Sequence, residues 1–138
     1  MGDPLSISAS IVATLQLAGT VVQYLNDVRG APDDRRRLLG EISSIIGVLY
    51  TLKDQAERTQ WGNPWSNTMR SLNQPAGPLE QFETALEQLV CKLSPVEGLK
   101  KVGKAFSWPF QKGEIKTILN SIERQKTLFI LALQNDSM

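Results

Sequence analysis

The chain contains no histidine. That removes serine–histidine triads, histidine-ligated metal sites and the side chain that titrates nearest neutral pH. Cys91 is its single cysteine, so an internal disulfide is excluded and a reducing compartment fits. No segment sustains the period-two alternation of a half-buried strand. No basic stretch precedes the first apolar run, so a secretory signal is not expected. The net charge of +1 makes no case for a nucleic-acid partner. The most informative absence is local. From Pro4 to Asn26 no residue carries a charge, and Asp3 and Asp27 bracket the run.

That run reads PLSISASIVATLQLAGTVVQYLN. Twenty such residues in a helix would be about 30 Å long, roughly a bilayer's hydrocarbon core. Seven serines, threonines and glutamines interrupt it, from Ser6 to Gln23, which is too polar for a plain membrane span. Ile11, Leu15, Ala18, Val22 and Leu25 recur at helical spacing and make one apolar stripe. A surface helix normally carries Lys and Glu on its other side, whereas Ser, Thr, Gly and Ala suit close packing and are tolerated in lipid. The stretch can therefore be buried in a bundle or enter a membrane.

The first helix is expected from about Ser6 to Val28, with Gly30 after its end and Pro32 barring continuation. Asp33 or Asp34 would cap a second helix running to about Thr59. Leu38, Ile42, Ile45, Leu49, Leu52 and Ala56 form its 4-3-4-3-4 seam. Residues 60–77 make a long connection with one helical turn near Trp65–Leu72. Pro78 opens a third helix whose seam is Leu79, Phe82, Leu86, Leu89 and Leu93. Ser94-Pro95-Val96-Glu97 is a capping box that starts a short basic helix to about Lys104. The last helix spans about Lys112 to Gln134, with Ile115, Ile118, Ile122, Phe129 and Ala132 inward and Gln125 as a polar member of the seam. One all-α domain over 1–138 follows, an antiparallel four-helix bundle with short helices in its connections.

Charge is unevenly placed. Residues 92–138 carry eight basic and four acidic groups, a balance of +4, while residues 61–91 stand at −2. Gly98 to Ala105, GLKKVGKA, approaches a phosphate-binding loop but has Ala105 where Ser or Thr must hold magnesium, and no strand precedes it. Lys100, Lys101, Lys104, Lys112 and Lys116 form either a solvated face or a contact for anionic lipid headgroups. Arg35, Arg36 and Arg37 read most simply as ion-paired with Asp33, Asp34 and Glu41. Trp61, Trp65 and Trp108 cover the bundle ends or anchor at a membrane interface. Glu80, Glu83 and Glu87 share a solvated helix face, and Cys91 reads as a small, at least half-buried residue. Met1-Gly2 with Ser6 matches the loose myristoylation pattern, in an unfavourable Asp3-Pro4 context. Catalytic, cofactor-binding and metal-ligating residues are not found.

Several separated segments carry a family likeness. They are Asp3-Pro4-Leu5-Ser6-Ile7; Tyr24-Leu25-Asn26-Asp27-Val28 followed by Ala31-Pro32 and by Asp34 to Leu39; Gly77 to Phe82; and Ile122 to Lys126 with Leu131 to Asp136. Together they resemble the HeLo-like N-terminal domain of fungal NOD-like receptors, over nearly the whole chain. Gly2 departs from the family's Met-Asp-Pro opening and reads as an added residue. The resemblance implies a helical effector domain that precedes a nucleotide-binding oligomerisation module in a longer receptor. It implies kinship with the HeLo death domains, the necroptosis pseudokinase bundle and plant coiled-coil resistance domains. It also implies regulated cell death through self-association, or association with other HeLo-like domains, and attack on the plasma membrane from a cytoplasmic resting state. On that reading Leu5, Ile7, Ile11, Val12, Leu15, Leu17, Val21, Val22 and Leu25 are the insertion candidates, and the five lysines meet anionic phospholipid. The alternative is a helical interaction module that never enters lipid.

Overall fold

The computed structural model describes residues 4–58, 65–94 and 108–136. It is all-helical. Five helices occur among the described residues: α1 (Pro4–Asp27), α2 (Pro32–Arg58), α3 (Trp65–Leu72), α4 (Pro78–Leu93) and α5 (Lys112–Asp136). The short helix expected from Pro95 to Lys104 lies outside the described residues, as do Trp61 and the capping box.

Helix starts follow local chemistry. Pro32 does not merely stop α1; it opens α2, since proline's fixed φ and missing N–H suit a first turn. Asp33 and Asp34 therefore sit inside that first turn rather than at the cap. Gly77 is the residue before α4, and a Cβ there would lie 2.8 Å from the carbonyl oxygen of Gln74. Only glycine fits that approach, and Pro78 follows it. Between α1 and α2 the backbone turns left-handed at Gly30 (φ 102°) and Ala31 (φ 43°). A side chain at Gly30 would press on the Cβ of Trp108, which half-covers this turn. Arg35 braces it by donating to the Val28 carbonyl.

Apolar stripes meet in one core. Every member of the α2 seam, from Leu38 to Ala56, is fully enclosed. Leu79, Phe82, Leu86, Leu89 and Leu93 of α4 are buried as their spacing required. On α5 the inward set is Ile115, Ile118, Ile122, Gln125, Phe129 and Ala132, with Leu119 added. Phe82 and Phe129 meet edge to face, centroids 6.3 Å apart. In α1 the stripe runs Ile7, Ile11, Leu15, Ala18, Val21, Leu25. Val22, expected on it, is only half-buried, because α1 turns its Val21 flank inward.

α1 packs on α2 and α4, and α5 packs on the same two helices. α1 and α2 are antiparallel, since Ser8 near the start of one bonds Glu57 near the end of the other. α4 and α5 are antiparallel as well, pairing Lys92 with Glu114 and Gln81 with Gln125. Across the hairpins the sense differs from the antiparallel expectation. Asp34 and Arg37 of α2 line one groove with Lys112 and Lys116 of α5, so these two helices begin at the same end. The physical reason is that α2 and α4 are linked by a long connection containing α3, which lets the chain cross over before α4 starts.

Leu49→Ala should lower stability by about 2–5 kcal/mol, the range for emptying a fully buried leucine site. Chemical denaturation with an unchanged midpoint would contradict this packing.

Candidate functional site

Two features of the sequence bear on function, the uncharged first helix and the basic residues. The structure sets them in one frame. In α1 the insertion candidates Ile7, Ile11, Leu15, Val21 and Leu25 are buried, while Val12, Leu17 and Val22 are half-buried. The side chain of Leu5 lies outside the described set. The other face exposes Ala9, Ala13, Gln16, Gly19, Gln23 and Asn26. Ile7–Asp27 is long and apolar enough to cross a membrane, yet only 33% of its span-length window is buried in the fold. A helix used only as core has no need of a charge-free outer face.

Its hydroxyls are also internally satisfied. Thr14 Oγ1 donates to the Ser10 carbonyl at 3.0 Å, and Thr20 Oγ1 to that of Gln16 at 3.2 Å. Bonds of this kind lower the cost of a hydroxyl in an apolar medium. Ser8 is different, for it is buried and donates to Glu57 Oε1 at 3.1 Å. Lys53 pairs with the same carboxylate. These two bonds hold the Glu57 carboxyl below its ordinary range, Lys53 first and Ser8 second. The trio ties the beginning of α1 to the end of α2.

At the opposite end, α2 and α5 start side by side. Asp34, Arg37, Lys112, Lys116 and Asn120 line a groove of about 390 Å³. Sequence reasoning assigned Lys112 and Lys116 to one cluster and Arg37 to another; the fold joins them. Lys100, Lys101 and Lys104 lie outside the described residues. The local ion pairing expected of Arg35–Arg37 is not what forms. Arg35 bonds a carbonyl, Glu41 pairs with Lys126 at 2.9 Å, and Arg36 and Arg37 have no ion-pair partner among the described residues. Asp33 and Asp34 sit too near the helix start to reach them, and Glu41 faces α5.

No family model, curated protein or solved structure matches the chain.

Other candidates fall into place around these. Cys91 is exposed, contrary to expectation, because the α4 seam passes through Leu89 and Leu93 and leaves position 91 on the far side. Trp108 packs edge-on against Phe110 at 5.1 Å, and Lys92 lies over that ring. Gln125 is buried in the core rather than at a bundle end, and it donates to Gln81 Oε1 at 3.1 Å. Its own Oε1 has no partner among the described residues. Among the described residues no cluster of His, Cys, Asp and Glu could hold a metal ion.

Glu83 on α4 is half-buried, and burial first, then Glu87 and Glu80, push its carboxyl above the ordinary range. The fold thus binds the Glu83 proton more tightly than the unfolded chain does. Ionised Glu83 costs stability at neutral pH, and that cost disappears as pH falls through its raised pKa. Glu83→Gln should therefore raise the melting temperature at pH 7, with the gain shrinking on acidification. A gain that is constant from neutral to acidic pH would assign the effect to packing.

Proposed function

We propose that this chain is a HeLo-like effector domain of a receptor-type protein, folded as a four-helix bundle of α1, α2, α4 and α5 with α3 in the crossover. It rests in the cytoplasm, self-associates on activation and permeabilises the plasma membrane through α1. It is no enzyme and takes no cofactor. The observation that carries this reading is the length of α1 without charge, combined with how little of it the core uses. Basic residues at the end where α2 and α5 begin supply attraction to anionic lipid.

The bundle sets a requirement on this mechanism. The start of α1 is tied to the end of α2, about 30 Å along the helix from the basic end. A domain resting on its basic end holds Pro4 away from the membrane. Insertion thus requires α1 to leave α2 and α4, and the exposed stripes of those helices then drive self-association.

A second reading has its own support. α5 exposes Leu128, Ile130 and Leu131, the last at 49%, which suits a helical interaction module that stays out of lipid.

Charge placed on the outer face of α1 separates the two. Gln16 is exposed and Thr20 half-buried, both off the buried stripe. Gln16→Glu and Thr20→Glu should leave the folded monomer within about 0.5 kcal/mol. In the middle of a lipid-facing helix each should cost about 2.5–3.5 kcal/mol per chain. Both variants should keep the melting temperature but lose dye release from anionic liposomes and killing on expression. Normal folding with undiminished release and killing would remove α1 as a lipid-facing element and favour the interaction module.

A further inference from the structure

The groove between the first turns of α2 and α5 carries more than a basic patch needs. Arg37 comes from α2, and Lys112 and Lys116 lie one turn apart on α5. None of the three is in an ion pair among the described residues. Both helices begin here, so the positive ends of two macrodipoles point the same way. Glu114, the acid in the first turn of α5, is already engaged by Lys92 and by the Gln111 N–H.

Asp34 is what distinguishes this groove from a cationic surface. It is half-buried and lines the same groove as the three cations, yet none of them comes within ion-pair distance of it. Asn120, one turn beyond Lys116, adds an amide that can both donate and accept. The floor is apolar, made by the buried Ile115 and Leu119. A volume of about 390 Å³ lies within the roughly 300–1,000 Å³ usual for small-molecule sites. Cations alone would suit any anion. A carboxylate set among them repels a bare anion but accepts a hydroxyl's proton.

We propose that this groove binds a phosphorylated polyol. Its phosphate is held by Arg37, Lys112 and Lys116, a hydroxyl of the same molecule donates to Asp34, and Asn120 bonds a second hydroxyl or a phosphate oxygen. The chemistry is shared by a free polyol phosphate and by the headgroup of a phosphorylated inositol lipid.

Calorimetry with inorganic phosphate and with inositol monophosphate tests the soluble form. Co-sedimentation tests the lipid form, comparing vesicles of phosphatidylcholine with phosphatidylinositol monophosphate against vesicles with phosphatidylserine at equal charge. Wild type should prefer the polyol-bearing probe in at least one arm, and the arm that shows it identifies the source. Lys112→Gln with Lys116→Gln, or Arg37→Gln alone, should weaken binding of that probe by about tenfold. Asp34→Asn is the decisive variant. It should weaken the polyol phosphate by about three- to tenfold while inorganic phosphate binds as well or better. All these positions line an open groove, so melting temperatures should hold. If Asp34→Asn tightens every anion alike, or if wild type prefers no polyol-bearing probe in either arm, the inference is overturned. The membrane reading fails separately. Dye release governed by phosphatidylserine charge alone, with no effect of Asp34, would sink the groove and leave that reading standing; polyol phosphate binding without any dye release would do the reverse.

Discussion

A seam of six enclosed side chains along 27 residues has to be covered over its whole length, and α2 is that seam. α1 closes one flank and α5 the other. Each is about as long as α2, whereas α4 has only 16 residues. The shortfall falls where α4 begins, for Gln81 stands level with Gln125 and α5 continues to Asp136. α3 touches α1 and α5, the helices that α4 also touches. The fourth side of the core is thus built from two helices in succession, joined at the tight turn that ends in Gly77. Leu72, buried on α3, extends the apolar contact beyond Leu79.

The buried polar groups mark where this packing is least secure. Gln125 puts an amide into the core and satisfies one end of it, and a buried carbonyl without a donor costs about 1–3 kcal/mol. Ser8 is satisfied by a carboxylate that Lys53 shares, a bond between elements 49 residues apart. The first holds α5 to α4, and the second holds α1 to α2. Both lie at joints between helices rather than within one, so they fix register more than they add stability.

α1 sits between two solvents. In the bundle its inward leucines and isoleucines each contribute about 1.5–3 kcal/mol by leaving water. Lipid would receive the same side chains equally well, so transfer of the stripe itself is near balance. The bill for leaving falls on α2 and α4, whose own stripes would face water. That imbalance links membrane entry to self-association in the proposed mechanism. It also explains why the outer face, with Ala9, Ala13 and Gly19, matters more than the stripe, since charges there would block entry without affecting the fold.

The α2 and α4 seams were legible residue by residue, because 3-4 spacing of large aliphatic side chains admits one helical face and little else. Helix boundaries were close for the same reason, with Pro32, Pro78 and Gly77 as local signals. The α1 stripe was misread at Val22 because Val21 and Val22 are alike in hydropathy, and only the position of α2 and α4 decides which turns inward. Cys91 was misread because a residue type's average burial says nothing about the flank it occupies. Periodicity cannot say which helices are neighbours or in which sense they run. The meeting of Arg37 with Lys112 and Lys116, 75 residues and more away in sequence, therefore had no local signal. By itself the sequence determined the helices, their apolar faces and the uncharged run, since these depend on side chains within a few turns of one another. The side-by-side start of α2 and α5, the groove it forms and the distance of the α1 start from it were decided by tertiary packing alone, because only the shared core fixes how one hairpin lies on the other.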